Sequence, residues 1–219
     1  MRLITWNCRS GTVEHRLRQL VRYAPDIVFL QECRPGADHS RRVNGQKAIA
    51  LLAHSDAYSP SIVKTPSSSG LASMAATIDG PLSLSVLGIW AQAPHYSADV
   101  IQTLKAHDRT LSWESTIVLG DFNSGPRLTS PKVTRSHRRL IDAFESRGLK
   151  SAYHEFHGVD HGQEDDPTYF HAWKRSASWH IDFCFIPAPW SNRIRNVTII
   201  GSASWKPASD HRALLIDLE

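Results

Sequence analysis

Asn7, Glu32, Asp121, Asn123, Asp182 and Asp210 are far apart along the chain, yet each sits at the edge of a short apolar run. All are hard oxygen donors, the set that suits Mg2+ or Mn2+ and not zinc. Carboxylates gathered in one place repel one another, and a divalent cation among them removes that cost. His211, directly after Asp210, adds an imidazole that a nearby carboxylate can hold protonated near neutral pH. Such a group stabilises a developing anion.

These residues need elements that bring them together. MRLITWN runs through Leu3, Ile4, Thr5 and Trp6 and ends on Asn7; DIVFLQE runs through Ile27 to Leu30 and ends on Gln31 and Glu32; STIVLGDFNSGP runs through Thr116 to Leu119 and stops on Gly120, Asp121, Phe122 and Asn123. The β-branched and aromatic content of these runs reads as buried strand. HIDFCFIP and ASDHRALLIDL reverse the order, with Asp182, Asp210 and His211 placed before the apolar residues. Asp, Asn and Gly at one strand end are ordinary turn composition, but independent turns do not require the repetition. Antiparallel neighbours set the end of one strand beside the start of the next, so a mixed sheet can gather these polar ends along one rim.

Helices fit between the strands. Val13, Leu17, Leu20 and Val21 recur at helical spacing from Thr12 to Tyr23, with Arg16, Arg18 and Arg22 on the opposite face and Pro25 closing the segment. A second helix begins at Ser97, with Val100, Ile101, Leu104 and Trp113 as apolar contacts, and Leu140, Ala143 and Phe144 before Gly148 mark a third. Pro35 to Gly70 reads as a short helix around Ala48 to Ala53, an edge strand and loops.

TWN, LQE, GDFNS, HIDF and SDHR, in that order from Trp6 to Arg212, resemble the signature motifs of the endonuclease/exonuclease/phosphatase superfamily. The resemblance implies an α/β (α+β) fold, a four-layered αββα sandwich of two mixed sheets with helices outside, and metal-dependent hydrolysis of phosphate esters. It makes Glu32 the principal ligand of Mg2+ or Mn2+, with Asn7 and Asp210 close by. Asp121 would orient or deprotonate the attacking water, Asn123 would hold the phosphate, and Asp182 would pair with His211. In the deoxyribonuclease I branch a second catalytic histidine ends the strand that corresponds to LSVLGIW; here Trp90 stands there, with His95 and Tyr96 a few residues on as possible substitutes. SAYH, DPTYF and WHIDF are similar to segments of small bacterial members, which gives His154 a possible contact with substrate.

The chain has 219 residues, 41% of them hydrophobic, which suits one domain over residues 1–219 with a substantial core. No run approaches a membrane span of about 20 apolar residues, and the reading is a soluble, cytoplasmic protein with no obligate protein partner. Cys8, Cys33 and Cys184 show no zinc-type pairing and read as reduced, with Cys8 and Cys33 facing away from Asn7 and Glu32. The net charge is +4, and Arg127, Lys132, Arg135, Arg138 and Arg139 follow the GDFNSGP segment directly. Those cations would attract a polyanionic backbone, or else form a solvated helix entrance at Ser130 and Pro131. Trp173, Lys174, Arg175 and Trp179 interleave aromatic and basic residues as a single-strand surface does. His154, His157 and His161 lack the spacing of a helical HExxH site, so their segment reads first as a polar lid over the substrate groove. The expected activity is hydrolysis of nucleic acid, DNA first, by an endonuclease or exonuclease; the alternative is a phosphatase or phosphodiesterase for a small phosphorylated molecule such as a phosphoinositide or nucleotide.

Overall fold

The computed structural model describes residues 1–36, 40–63, 72–128, 131–201 and 208–219, with the side chains of 131–135 outside that description. In chain order its strands are β1 (Arg2–Asn7), β2 (Ile27–Cys33), β3 (Ser40–Asn44), β4 (Lys47–Ala53), β5 (Ser59–Val63), β6 (Ala72–Asp79), β7 (Leu84–Trp90), β8 (Thr116–Asp121), β9 (Leu149–Ser151), β10 (Tyr169–Phe170), β11 (Ser178–Trp179), β12 (Asp182–Pro187), β13 (Ile194–Ile200) and β14 (Ala213–Leu218). The helices are α1 (Val13–Leu20), α2 (Tyr96–His107), α3 (Pro131–Glu145) and α4 (Ala152–His157).

Two six-stranded sheets carry the fold, ordered β13-β14-β1-β2-β4-β3 and β5-β6-β7-β8-β12-β9. Each is mixed: β1 and β2 are parallel in the first, β7 and β8 in the second, and the other pairings are antiparallel. Strand alternation sorts the side chains into layers. Leu3, Ile27, Phe29, Leu214 and Ile216 meet Ile117, Leu119, Val86 and Cys184 between the sheets. On the outer face of the first sheet Ile4, Trp6, Val28 and Leu30 pack against Val13 and Leu20 of α1. On the outer face of the second, Val118, Phe183 and Phe185 pack against Val100 and Leu104 of α2 and Leu140 and Phe144 of α3. This is the four-layered αββα sandwich that the motifs imply.

The sheets approach closely enough to dictate residue size. A Cβ on Gly88 would fall 2.3 Å from the Phe29 ring, so the ring of one sheet occupies the place of a side chain in the other. Gly120 is more constrained: its φ is 145° and a Cβ there would fall 1.8 Å from the Ile89 carbonyl oxygen. The residue before the Asp121 carboxylate is therefore glycine because β7 and β12 press on both sides of it.

Some expectations change. The polar strand ends come from both sheets, not from the rim of one: Asn7, Glu32 and the residues before β14 belong to the first, Asp121 and Asp182 to the second. The short helix expected at Ala48–Ala53 is β4, a strand with neighbours on both sides. Burial inside the sheet overrides the helix propensity of its alanines and leucines. The flanking β3 and β5 are edge strands. Thr12 caps α1, its hydroxyl accepting from the His15 N–H at 3.3 Å, and a 3-10 turn extends α1 to Tyr23. Within this segment Arg16 is buried and Val21 exposed, the reverse of the expected pattern. The Arg16 guanidinium donates to the Ser10 and Ala208 carbonyls and lies 5.3 Å from the Trp6 ring, so its charge is spent on tying loops to β1. Trp113 lies beyond α2, in a separate 3-10 turn. Gly148 ends the third helical segment with φ of 71°, as its sequence position predicts.

Candidate active site

The parallel register sets Asn7 opposite Gln31, so in a regular β2 the side chain of Glu32 would point away from Asn7. The strand is not regular there. Pairing with β4 slips between Leu30 and Cys33, and Glu32 has φ of 58°. This bulge turns Glu32 toward Asn7, whose amide nitrogen donates to Glu32 Oε1 at 3.2 Å, while Cys33 stays with Cys8 in the α1-facing cluster. Arg9 and Asn123 also have positive φ, so left-handed backbone collects around these carboxylates.

Asn7 also donates to Asp121 Oδ2 at 2.9 Å. Asn123 donates to the same oxygen through its side chain at 3.1 Å, to Asp121 Oδ1 through its backbone N–H at 2.9 Å, and to the Ala91 carbonyl. The antiparallel register of β8 and β12 places Asp121 directly opposite Asp182, both fully buried. Like charges in that position repel. His211 relieves them: its Nδ1 lies 2.9 Å from Asp182 Oδ2 and its Nε2 4.0 Å from Asp121 Oδ2. Burial alone would lower the imidazole pKa, but the two carboxylates and the Asp182 hydrogen bond outweigh it and lift the ring to about 9. Burial, reinforced by repulsion from Asp182, raises Asp121 to about 7.

Further residues hold this pair. Thr168 Oγ1 accepts from the backbone N–H groups of Ile181 and Asp182 at 3.0 and 3.1 Å. Ser209 Oγ donates to the Asn7 carbonyl at 2.6 Å and accepts from the His211 N–H at 3.0 Å. Tyr169 forms a β-bridge with His211, and their rings stand 4.6 Å apart. Cations flank the outer carboxylates: Lys47 pairs with Glu32 Oε2 and lies 5.7 Å from the Trp90 ring, and Arg9 Nη1 lies 3.6 Å from Asp210 Oδ2. Lys47 carries no sequence signal as a candidate site residue, because it arrives from a neighbouring strand; Thr168 and Tyr169 lie in the DPTYF segment, whose resemblance to small bacterial members gave them no role.

The donor set fits a hard divalent cation. Glu32 and Asp210 are partly accessible carboxylates, Asp121 lies behind them, and Lys47 and Arg9 supply positive charge to the outer pair. Asn7 presents its amide nitrogen to the carboxylates while its oxygen accepts from the Arg9 N–H, so ligation through oxygen requires the amide to turn over.

The expected outer contacts are placed unevenly. Trp90 ends β7, nearly buried in the inter-sheet cluster. His95 and Tyr96 are exposed at the start of α2. Arg138 and Arg139 are exposed on α3, Arg138 paired with Asp142 at 2.8 Å, and the Arg135 side chain lies outside the described residues. Trp173 is exposed, with the Arg9 guanidinium 5.1 Å from its ring. His154 is buried on α4, with Nδ1 2.7 Å from Ser151 Oγ and Nε2 3.0 Å from Glu164 Oε1. His157 turns elsewhere, to the Val197 carbonyl. His161 stacks on His154 with ring centres 3.6 Å apart and is 3.3 Å from His137 of α3. Burial is the main force holding His137 and His161 down, to about 4 and about 3. The cysteines are buried thiols, and burial pushes each pKa up, that of Cys33 to about 12.

The model of the endonuclease/exonuclease/phosphatase family matches residues 4–211. The chain belongs to that family. It is by family an enzyme that hydrolyses phosphate esters, and the family depends on divalent metal. Among solved structures, this endonuclease/exonuclease/phosphatase chain is similar to an AP endonuclease from Archaeoglobus fulgidus, with a TM-score of 0.74, 16% identity, and coverage of 100% of this chain and 99% of that one. It is also similar to the 3'-5' exonuclease NExo from Neisseria meningitidis, with a TM-score of 0.72, 16% identity and full coverage of both chains. A single-substitution form of the 3' phosphatase NExo from Neisseria, bound to a product DNA hairpin, matches at 0.73 with 16% identity, covering 100% of this chain and 99% of that one. A comparison with curated proteins finds no match.

Proposed function

We propose that this member of the family is a Mg2+- or Mn2+-dependent phosphodiesterase that hydrolyses nucleic acid, with DNA as its substrate. The observation that carries the reading is the opposition of Asp121 and His211. Their facing atoms are 4.0 Å apart, too far for a hydrogen bond, and both are held from behind, Asp121 by Asn7 and Asn123 and His211 by Asp182. One side chain is suited to take a proton near neutral pH, the other to donate a hydrogen bond from a charged ring.

Asp121 orients a water and accepts its proton while the water oxygen bonds to phosphorus and the bond to the leaving oxygen breaks in line. His211 donates from Nε2 to a non-bridging oxygen, where negative charge grows in the pentacovalent state. Asp182 fixes the tautomer that makes Nε2 the donor. Asn123, in strained backbone beside Asp121, takes a phosphate oxygen, for which its side-chain amide must release the Ala91 carbonyl or the Asp121 carboxylate. Glu32 and Asp210 would hold the cation, with Asn7 close by, and the bound cation would supply Lewis-acid charge and lower the pKa of water.

Support for a polynucleotide comes from the cations and the exposed tryptophan beside the site, Arg9, Lys47 and Trp173, and from the DNA in the similar NExo structure. The test is a panel of supercoiled plasmid, linear duplex, single-stranded DNA, RNA, an inositol phosphate and a nucleotide, each with Mg2+ or Mn2+. Cleavage of DNA that weakens steeply with salt supports the reading. Turnover of the small phosphates alone, insensitive to salt, replaces it with the small-molecule alternative.

A further inference from the structure

His154, His161 and Glu164 come together away from the oxygen-rich centre. They reach one another from α4 and from the segment that follows it, with His137 of α3 behind. One ring nitrogen from each histidine and one carboxylate oxygen lie within 4.8 Å of one another. The cluster stands on the α3 side of the second sheet, where His137, His154 and His161 pack around Phe183. Asp182, the next residue along β12, faces the other way.

We propose that His154, His161 and Glu164 form a second metal site, specific for a zinc-class transition ion. Two nitrogens and a carboxylate suit zinc, whereas the donors of the catalytic centre are oxygen-rich. In tetrahedral zinc, with bonds of about 2.0–2.1 Å, neighbouring ligand atoms stand about 3.3 Å apart. His154 Nε2 and Glu164 Oε1 are already 3.0 Å apart. Ligation requires a tautomer change at His154, so that Nε2 offers its lone pair and Nδ1–H donates to Ser151 Oγ, now 2.7 Å away. That hydroxyl is the kind of outer partner that fixes a zinc-binding histidine. Glu164 is steadied by the Gly162 N–H, which donates to Oε1 at 2.9 Å. His161 is the member that must move, swinging out of its 3.6 Å stack on His154. It is only half-buried, and a cavity of about 150 Å³ lined by His154, His161, Asp160 and Ser151 gives it room and gives the ion access. A water would complete the fourth position.

The site would act as a clamp. Glu164 and Thr168 lie on the same connecting segment, and Thr168 holds the Asp182 N–H. Fixing the segment to α4 therefore steadies the strand that carries Asp182.

The test is titration of the full-length protein with Co2+, followed by displacement with Zn2+. The expected result is one equivalent of Co2+ with visible absorption bands of a tetrahedral nitrogen-containing site, bleached by Zn2+, and a higher unfolding temperature with Zn2+. His161→Gln should weaken Co2+ binding at least ~10-fold, and Ser151→Ala ~10- to 100-fold, as outer partners of metal ligands do. Glu32→Gln, in the oxygen-rich centre, should leave the bands unchanged. Because His161 is half-buried, His161→Gln is expected to fold; circular dichroism checks this, and Ser151→Ala provides an independent arm. Weak octahedral bands alone, or tetrahedral bands of unchanged affinity in both variants, would overturn the proposal. Loss of the bands in Glu32→Gln would assign the ion to the catalytic centre and overturn it equally.

Discussion

Replacing Asp182 with Asn and His211 with Ala, singly and together, probes the most enclosed part of the site. The Asp182 carboxylate lies 2.9 Å from His211 Nδ1, both residues are buried, and no other side chain among the described residues hydrogen-bonds to that nitrogen. The rise of the ring from 6.5 to about 9 corresponds to ~3 kcal/mol in favour of the charged form. Asp182 is the largest of the influences that raise it, so Asp182→Asn forfeits much of this preference while the penalty of burial remains. At about 1.4 kcal/mol per tenfold change, the loss is worth up to ~10²-fold in kcat/KM. His211→Ala removes the donor outright and should cost ~10²- to 10³-fold, the usual effect of one preorganised donor. Since the aspartate works through the histidine, Asp182→Asn in a His211→Ala background should cost less than about threefold more. The assay is kcat/KM on a labelled DNA duplex at saturating Mg2+, with folding checked by circular dichroism. Losses that multiply independently would refute the coupling and with it the assigned role of Asp182.

Alanine at Arg135, Arg138 and Arg139 together should weaken DNA cleavage and reduce its salt dependence while sparing a small chromogenic phosphodiester; equal losses on both substrates would point to folding instead. Gly120→Ala sets a methyl against the Ile89 carbonyl oxygen at a positive φ, and should lower unfolding stability by on the order of 3 kcal/mol in chemical denaturation. His107, buried in α2 with Nε2 unpartnered among the described residues, has its pKa lowered by burial from 6.5. The unfolded chain binds this proton more readily, so stability should fall as pH drops below 6.5, and His107→Leu should flatten that slope in thermal melts across the same range.

Much of the candidate site was legible because its residues flank short, fully buried strands, where an apolar run and an abrupt polar stop both show in one dimension. The two-sheet origin of those ends was not legible, since periodicity carries no strand order. KAIALLA at Lys47–Ala53 misled because a strand buried on both faces loses its alternation, and alanine and leucine then favour helix. Lys47, which pairs with Glu32, was lost with it. The bulge that turns Glu32 into the site has no glycine to announce it. Local spacing grouped His154 and His161 with His157, whereas packing substitutes Glu164 and draws in His137 from α3. Arg16 falls on the helix face that should meet water, but the loops holding Ser10 and Ala208 cover it.

The central claim is that a cation held by Glu32 drives hydrolysis of DNA, and the most direct measurement compares wild type with Glu32→Gln on a defined labelled duplex, in Mg2+ or Mn2+ and in excess EDTA. The account predicts cleavage by the wild type in either metal, none in EDTA with recovery on adding Mg2+ back, and a loss of at least ~10³-fold in Glu32→Gln with an unchanged circular dichroism spectrum. Cleavage that persists in EDTA, or a folded Glu32→Gln variant that cuts at the wild-type rate, would contradict it.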